Sequence, residues 1–341
     1  MPADEPQRCL PLEAAISAET AGAKAFALGR ALRDGLPVLP GFVVPVSCAQ
    51  NALAAGRAEL ERFGSGGARL ATSQANLDPA LSSEIAARAR ALGPSLVVRS
   101  SSPLEGSGRW SGAFASYVGV APAHLDVAVR GVWASIFSRN VLERCGAEGV
   151  QPGSIGIAVL IQPAVAFEAG GIARREHSGR LRIEAVRGAP SEIVSGWAAG
   201  VELLVDDGRI QARERHDFPT EMVLEIAALT RAVGTSYRHD LIEWGWSPQT
   251  GLILLQTQRD RETMYASRTA VRDAAHAPDG RVRCSAEPLV GGVGAGRGLF
   301  LRMPQGEVRV ADRPVLVVPR PLAAFAPLMW NVAGLVSLSG G

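Results

Sequence analysis

Leu96-Val-Val-Arg-Ser-Ser-Ser-Pro-Leu-Glu-Gly-Ser-Gly-Arg-Trp-Ser-Gly-Ala-Phe-Ala-Ser-Tyr117 is the stretch that decides how the chain is read. The apolar run Leu96-Val97-Val98 has the length and branched content of a buried strand. It delivers Arg99 and three serines into a turn rich in Gly and Ser, with Arg109 further along. Hydroxyls, backbone N–H groups and two guanidinium groups are then expected to face one short space. Such a loop suits a polyanion, because glycines let the backbone approach and guanidinium forks pair with phosphate oxygens. A polar surface loop with ordinary arginines has the same local composition, so the remainder of the chain has to decide.

At 341 residues the chain has room for two or three domains with a sizeable core. Hydrophobic residues make up 47% and charged residues 20%, a soluble globular balance. A formal net charge of +2 argues against a protein dominated by nucleic-acid or anionic-membrane binding. Arginine greatly outnumbers lysine, which looks like a coding bias as much as a function. Cys9, Cys48, Cys145 and Cys284 stand far apart, without a CxxC pair, and suggest a reducing compartment rather than a disulfide framework or zinc site. The N-terminus lacks the basic and apolar regions of a signal peptide, and no uncharged apolar run reaches a membrane span of roughly 18–20 residues. A cytoplasmic protein is expected.

Upstream of the opening stretch, Ala21-Gly-Ala-Lys-Ala-Phe-Ala-Leu-Gly-Arg-Ala-Leu predicts a helix with Lys24 in its first turn, ending at Gly35. A cation at a helix start is disfavoured by the dipole, which hints at service to a bound anion; a solvated surface lysine is the ordinary alternative. Ala49–Phe63 and Leu81–Leu92 read as amphipathic helices around a flexible Gly64-Ser-Gly-Gly segment. Leu125–Cys145 carries apolar residues at helical spacing, which suits core packing. Strands are expected at Ile155–Val165, Gly170–Arg174, Arg180–Val186, Val201–Val205 and Arg209–Arg213, then a helix over Glu221–Tyr237. The strands Leu241–Trp246 and Leu252–Gln258 follow, joined by a turn. Alternation lets Glu243 and Gln256 converge as oxygen donors for Mg²⁺, although a solvated acid on an open sheet face looks the same locally. The glycine run Leu289–Phe300 lacks the βαβ context of a dinucleotide fingerprint, and that reading is discarded.

Taken in order, the motifs resemble the ATP-grasp nucleotide-binding domain of the phosphoenolpyruvate synthase and pyruvate phosphate dikinase family, shared by rifampicin-type phosphotransferases. Gly22-Ala-Lys-Ala-Phe-Ala-Leu-Gly with Gly35-Leu-Pro-Val-Leu-Pro-Gly-Phe-Val-Val is similar to the segment carrying the family's phosphate-binding lysine, which implies that role for Lys24. Val97-Val-Arg-Ser-Ser-Ser, Glu105 and Ser111-Gly-Ala-Phe-Ala resemble its VRSSA…SFAG segment and imply a second phosphate contact at Arg99. Trp133-Ala-Ser-Ile-Phe resembles a family helix, and Ile161-Gln162-Pro-Ala-Val its adenine-side hinge strand. Gly188-Ala-Pro-Ser-Glu-Ile-Val-Ser-Gly, with Ser191, resembles the ribose-side loop; Ile242-Glu243-Trp244 and Leu254-Leu255-Gln256 resemble the metal-binding hairpin. The implied fold is α+β ATP-grasp, two α+β subdomains at 1–150 and 151–260 clasping the nucleotide. A linker at 261–280 and a partial phosphohistidine swivelling β/α domain at 281–341 follow.

The resemblance implies an ATP-dependent phosphotransferase of the dikinase type, with ATP and Mg²⁺ as cofactors. Lys24 and Arg99 are its catalytic candidates, Glu243 and Gln256 its metal ligands, and Arg109, Gln162 and Ser191 further nucleotide contacts. The β-phosphoryl would pass to a swivelling-domain histidine and on to a small-molecule acceptor, releasing AMP and phosphate. None of the five histidines falls at that histidine's place, so it is expected beyond Gly341 or in a partner protein. Replacing Lys24 or Arg99 by Ala is expected to abolish AMP release with little loss of stability. Leu241 and Gln258 stand where the family has an acid and an arginine. Those departures keep two alternatives open: a regulatory nucleotide-binding module without transfer, and an ATP-dependent natural-product ligase on the same fold.

Overall fold

A serine cap starts the first helix and a glycine bends it one turn later. The computed structural model describes residues 8–107, 110, 112–176, 178–190, 200–206, 208–212, 215–259, 296–301, 313–318 and 332–337. The chain divides into two compact units, Met1–Ala166 with Gln249–Arg259, and Phe167–Pro248 with Asp260–Gly341. In the first, strand β1 (Leu10–Pro11) precedes helix α1 (Ala18–Arg33), whose N-cap Ser17 accepts a hydrogen bond from Thr20 N–H. Gly22 sits at φ 75°, ψ 161° inside α1, so the chain leaves the helix for that residue. The small and apolar residues Ala21, Ala25, Leu28 and Ala31 form the buried face of α1.

Next come β2 (Phe42–Val44), α2 (Gln50–Gln74), α3 (Pro79–Leu92), β3 (Leu96–Ser101), β4 (Ser116–Val120), α4 (Leu125–Ala134), α5 (Arg139–Glu148) and β5 (Ala158–Pro163). The strands form one antiparallel sheet in the order β1-β2-β5-β3-β4. Apolar residues of β2, β3 and β5, among them Phe42, Val98 and Ile161, share a core with Trp133, Ile136 and Phe137. The helical stripe at 125–145 thus packs as expected, but in two helices, because Ser138 is extended between them. At Gly64 the backbone leaves the helix (φ 62°, ψ −161°), so the first helical segment of α2 ends at Phe63 as expected; the difference is that a second helical segment follows it to Gln74.

The second unit holds β6 (Ala169–Arg175), β7 (Leu181–Arg187), β8 (Val201–Asp206), β9 (Arg209–Ala212), helix α6 (Thr220–Tyr237) and β10 (Leu241–Ser247). Strands β10, β6, β7, β8 and β9 are neighbours in that order, all antiparallel, and α6 packs on β6 and β10. Gly171 in β6 is required by a close approach, since a Cβ there would lie 1.9 Å from Glu184 O. Two strands of the span 151–260 fall in the first unit. β5 belongs with β2 and β3, whose registers it shares, and β11 (Gly251–Gln258) packs against α1 in the first unit, where Leu254 N–H donates to Pro37 O at 2.7 Å. The expected linker at 261–280 lies outside the described residues. Further on, β12 (Gly298–Phe300), β13 (Val315–Val318) and β14 (Gly334–Ser337) form a parallel sheet around buried Leu316 and Val318. Among the described residues no helix is long and apolar enough to cross a membrane.

The described cysteines Cys9, Cys48 and Cys145 carry free thiols. Burial first, and the nearby Glu84 charge second, push the Cys9 thiol up to about 12, so it is inert as a nucleophile. Glu84 on α3 anchors the start of the described chain by accepting from Arg8 N–H (2.9 Å), Cys9 N–H (3.2 Å) and Arg88 Nε (2.9 Å). Burial alone would raise the Glu84 carboxyl, but these hydrogen bonds outweigh it and hold the group below its ordinary range. A carboxylate depressed on folding stabilises fully above its unfolded value of about 4.3 and loses that contribution as pH falls through the folded value. Glu84→Gln should therefore cost about 1–2 kcal/mol at neutral pH. The gap to the parent should close below about pH 4, as urea midpoints at neutral and acid pH will show.

Candidate functional site

The end of β3 and the start of α1 are bound together atom by atom. Ala23 N–H donates to Ser102 O (3.1 Å) and Ala25 N–H to Ser101 Oγ (3.0 Å), so the helix resumes after Gly22 with these donors satisfied. Only glycine permits this seat: φ at position 22 is +75°, and a Cβ would fall 1.9 Å from Ser101 O and 2.4 Å from Ser101 Oγ. Lys24 follows directly. Its Nζ donates to Ser100 O at 2.9 Å and to Glu105 Oε1 at 3.2 Å, and both side chains of that ion pair are buried, 8% and 7% exposed. The other Glu105 oxygen accepts from Ser102 N–H at 2.8 Å. Lys24 is therefore neither a solvated surface lysine nor a charge opposed only by the helix dipole, because a carboxylate balances it inside the protein.

The serines have other duties than those expected of them. Ser100, Ser101 and Ser102 are buried. Ser101 Oγ accepts from Ala25 N–H, and Ser102 Oγ donates to Gly156 O at 2.7 Å. These hydroxyls hold the loop to α1 and to the segment entering β5. Arg99 lies within β3 itself, where Nη1 donates to Leu255 O at 2.5 Å and Nη2 to Gln256 Oε1 at 3.2 Å, fastening β11 to β3 inside the first unit. Gln256 in turn donates to Gln258 Oε1 at 3.1 Å. Gln162, buried on β5, donates to Leu39 O at 2.9 Å and secures the proline-rich turn before β2. Arg109 and Ser191 lie outside the described residues. Trp110 is buried against Phe114, its indole N–H donating to Glu148 at 3.0 Å, and anchors the far end of the opening stretch.

Glu243 stands on β10 opposite Ile172 of β6 in the second unit, half-buried. Its carboxylate is a hard oxygen donor of the kind Mg²⁺ takes. The Gln256 amide oxygen fits a metal poorly, because it already faces the Arg99 guanidinium and a cation placed there would be repelled. Among the described residues no cluster of three or more His, Cys, Asp and Glu has metal-binding proximity.

Lys24 and Glu105 are the feature the motif reading divided: it marked the lysine and left its counter-ion without a role. One signal of the pair's standing was present in composition. Lys24 is the only lysine in the chain, beside thirty-four arginines. A compact ammonium, rather than a planar guanidinium, suits one nitrogen that must meet Ser100 O and Glu105 Oε1 in a closed space.

In this α+β chain an ammonium is thus fixed at a helix–strand junction, with glycine at the point of closest approach. Residues 18–216, more than half the chain, match the family described as pyruvate phosphate dikinase, AMP/ATP-binding domain. The chain belongs to that family, and the match bears out the recognition drawn from the motifs. No curated protein matches the sequence significantly. Solved structures that resemble it include D-alanyl-alanine synthetase A from Vibrio cholerae O1 biovar eltor (TM-score 0.38, 13% identity, 74% of this chain and 57% of that one). The dinucleotide-forming acetyl-coenzyme A synthetase 1 of Ca. Korarchaeum cryptofilum is another (TM-score 0.33, 12% identity, 52% and 80%). D-cycloserine synthetase DcsG is a third (TM-score 0.31, 14% identity, 68% and 60%). The chain thus spans little more than half of the Vibrio enzyme, and the family match, not these likenesses, carries the assignment.

Gly22→Ala tests the junction. Strain at a positive φ and a clash with backbone rather than with a movable side chain should destabilise the protein by at least about 2 kcal/mol. A variant that melts with the parent would show that α1 does not need this seat.

Proposed function

We propose that the chain binds ATP with its phosphates at the junction of α1 and β3, as the nucleotide-binding part of a dikinase-type phosphotransferase. The observation that carries this reading is the buried Lys24 ammonium at the end of β3, inside the region that matches the AMP/ATP-binding family. An ammonium has three donors. Two are committed to Ser100 O and Glu105, which leaves one N–H for a phosphate oxygen. A charge already fixed and desolvated needs no reorganisation when the polyphosphate arrives, and it acts more strongly there than in water. Arg99 contributes by holding β11 against β3 and by adding positive charge to the same sheet end. Arg109 and Ser191 are assigned to the nucleotide by the family resemblance alone.

Glu243 is assigned to Mg²⁺ by the family resemblance alone, its carboxylate being a hard oxygen donor of the kind that cation takes. Gln256 is assigned to Arg99 instead. The β-phosphoryl would pass to a histidine of a swivelling domain, in a longer chain or a partner protein, and then to a small-molecule acceptor. Leu241 and Gln258, in place of an acid and an arginine, motivate the second reading, a module that binds nucleotide without transfer.

Calorimetric titration with Mg-ATP and an assay of AMP formation separate these readings. Binding with AMP formation supports transfer, AMP formed only with a second substrate supports a ligase, and binding alone supports the module. Lys24→Met should weaken Mg-ATP binding by roughly a hundredfold while leaving it measurable, and Lys24→Arg should fail to restore it. For Lys24 the expected little loss of stability gives way to a larger one, since stranding the Glu105 carboxylate should cost about 3 kcal/mol. Unimpaired ATP binding by folded Lys24→Met would refute the site.

A further inference from the structure

We infer that Glu105 is a positioning residue for the nucleotide, acting on phosphate affinity through Lys24. The inference rests on the reading that Lys24 meets the phosphates. Three observations lead to it. Glu105 is almost wholly buried, 6% exposed. Its two oxygens are divided between two tasks: one accepts from Ser102 N–H and so is fixed by the backbone of the loop, the other accepts from Lys24 Nζ. Its own N–H donates to Ser102 O at 3.1 Å, the same carbonyl that accepts from Ala23 N–H at the head of α1. The carboxylate is thus held by the structure on one side and holds the ammonium on the other.

Lysine has a flexible four-carbon stem, and a buried ammonium without a counter-charge would swing its stem toward water. Glu105 removes that option and leaves Lys24 presented at one point, beside Ser100 O. The chain's only lysine stands where a buried carboxylate and a backbone carbonyl converge on a single nitrogen. An amide in place of the carboxylate cannot serve both neighbours: its oxygen satisfies either Ser102 N–H or Lys24, and its NH₂ then faces the other donor. Shortening to aspartate keeps the charge but withdraws it from the ammonium.

A double-mutant cycle on nucleotide affinity tests the inference, with Mg-ATP and adenosine titrated against the parent, Glu105→Gln, Lys24→Met and the double variant. Glu105→Gln is expected to weaken Mg-ATP binding roughly tenfold or more and to leave adenosine binding unchanged. In the Lys24→Met background the same substitution is expected to change the residual Mg-ATP affinity by less than about twofold. Glu105→Asp, expected to fall between the parent and Glu105→Gln, replaces it if the amide variant fails to fold. Equal weakening in both backgrounds would overturn the inference, because Glu105 would then act independently of Lys24. Tighter Mg-ATP binding by Glu105→Gln would also overturn it, since the carboxylate would then be a competitor for the ammonium. If Lys24→Met left Mg-ATP affinity intact, the phosphate site itself would be misplaced and this inference would fall with it.

Discussion

The organising constraint of the first unit is the buried ion pair between Lys24 and Glu105, with the two chain segments it locks together. α1 can approach the end of β3 only because position 22 has no Cβ and tolerates φ 75°. Once that approach is made, Ser101 and Ser102 supply acceptors to the helix head, and Ser102 also reaches the segment before β5. The ion pair closes the arrangement in a largely buried place, its side chains 8% and 7% exposed. Burying two charges is expensive unless their geometry and remaining hydrogen bonds are satisfied. Here Ser100 O and Ser102 N–H satisfy them, so the pair is better understood as a device for placing one ammonium than as a source of stability.

The same junction explains how remote parts of the sequence meet. β5, central in its sheet, pairs with β2 and β3 and brings Gln162 beside the proline-rich turn. Arg99 then ties in β11, a strand more than a hundred and fifty residues away along the chain. Two residues that the motifs mark for ligands, Gln162 and Gln256, thus hold protein groups in the structure described. The nucleotide reading is thereby concentrated on Lys24.

Much of the architecture was legible in the sequence because periodicity and turn chemistry agree along it. The strand at Leu96, the apolar stripe of Val129, Val132 and Trp133, and the Asp206–Gly208 hairpin all follow from local pattern. What was not legible required tertiary knowledge. Gly64 ends a helical segment as its sequence suggests, but the second helical segment that follows it to Gln74 was not legible. The serines after Arg99 looked like ligand hydroxyls, and only the proximity of α1 and Gly156 turns them inward. Glu105 was visible within a motif, but nothing in its spacing from Lys24 reveals that eighty residues of chain close into a contact of 3.2 Å. The composition held a quieter clue, a single lysine in an arginine-rich chain.

That solitary lysine also permits a direct test. Labelling with ¹⁵Nζ-lysine gives one side-chain ammonium signal, that of Lys24, free of assignment ambiguity. If the phosphates dock at the junction of α1 and β3, Mg-ATP should shift this resonance in a saturable manner, whereas adenosine should leave it in place. A resonance unmoved at saturating Mg-ATP, with binding confirmed by calorimetry, would contradict the account.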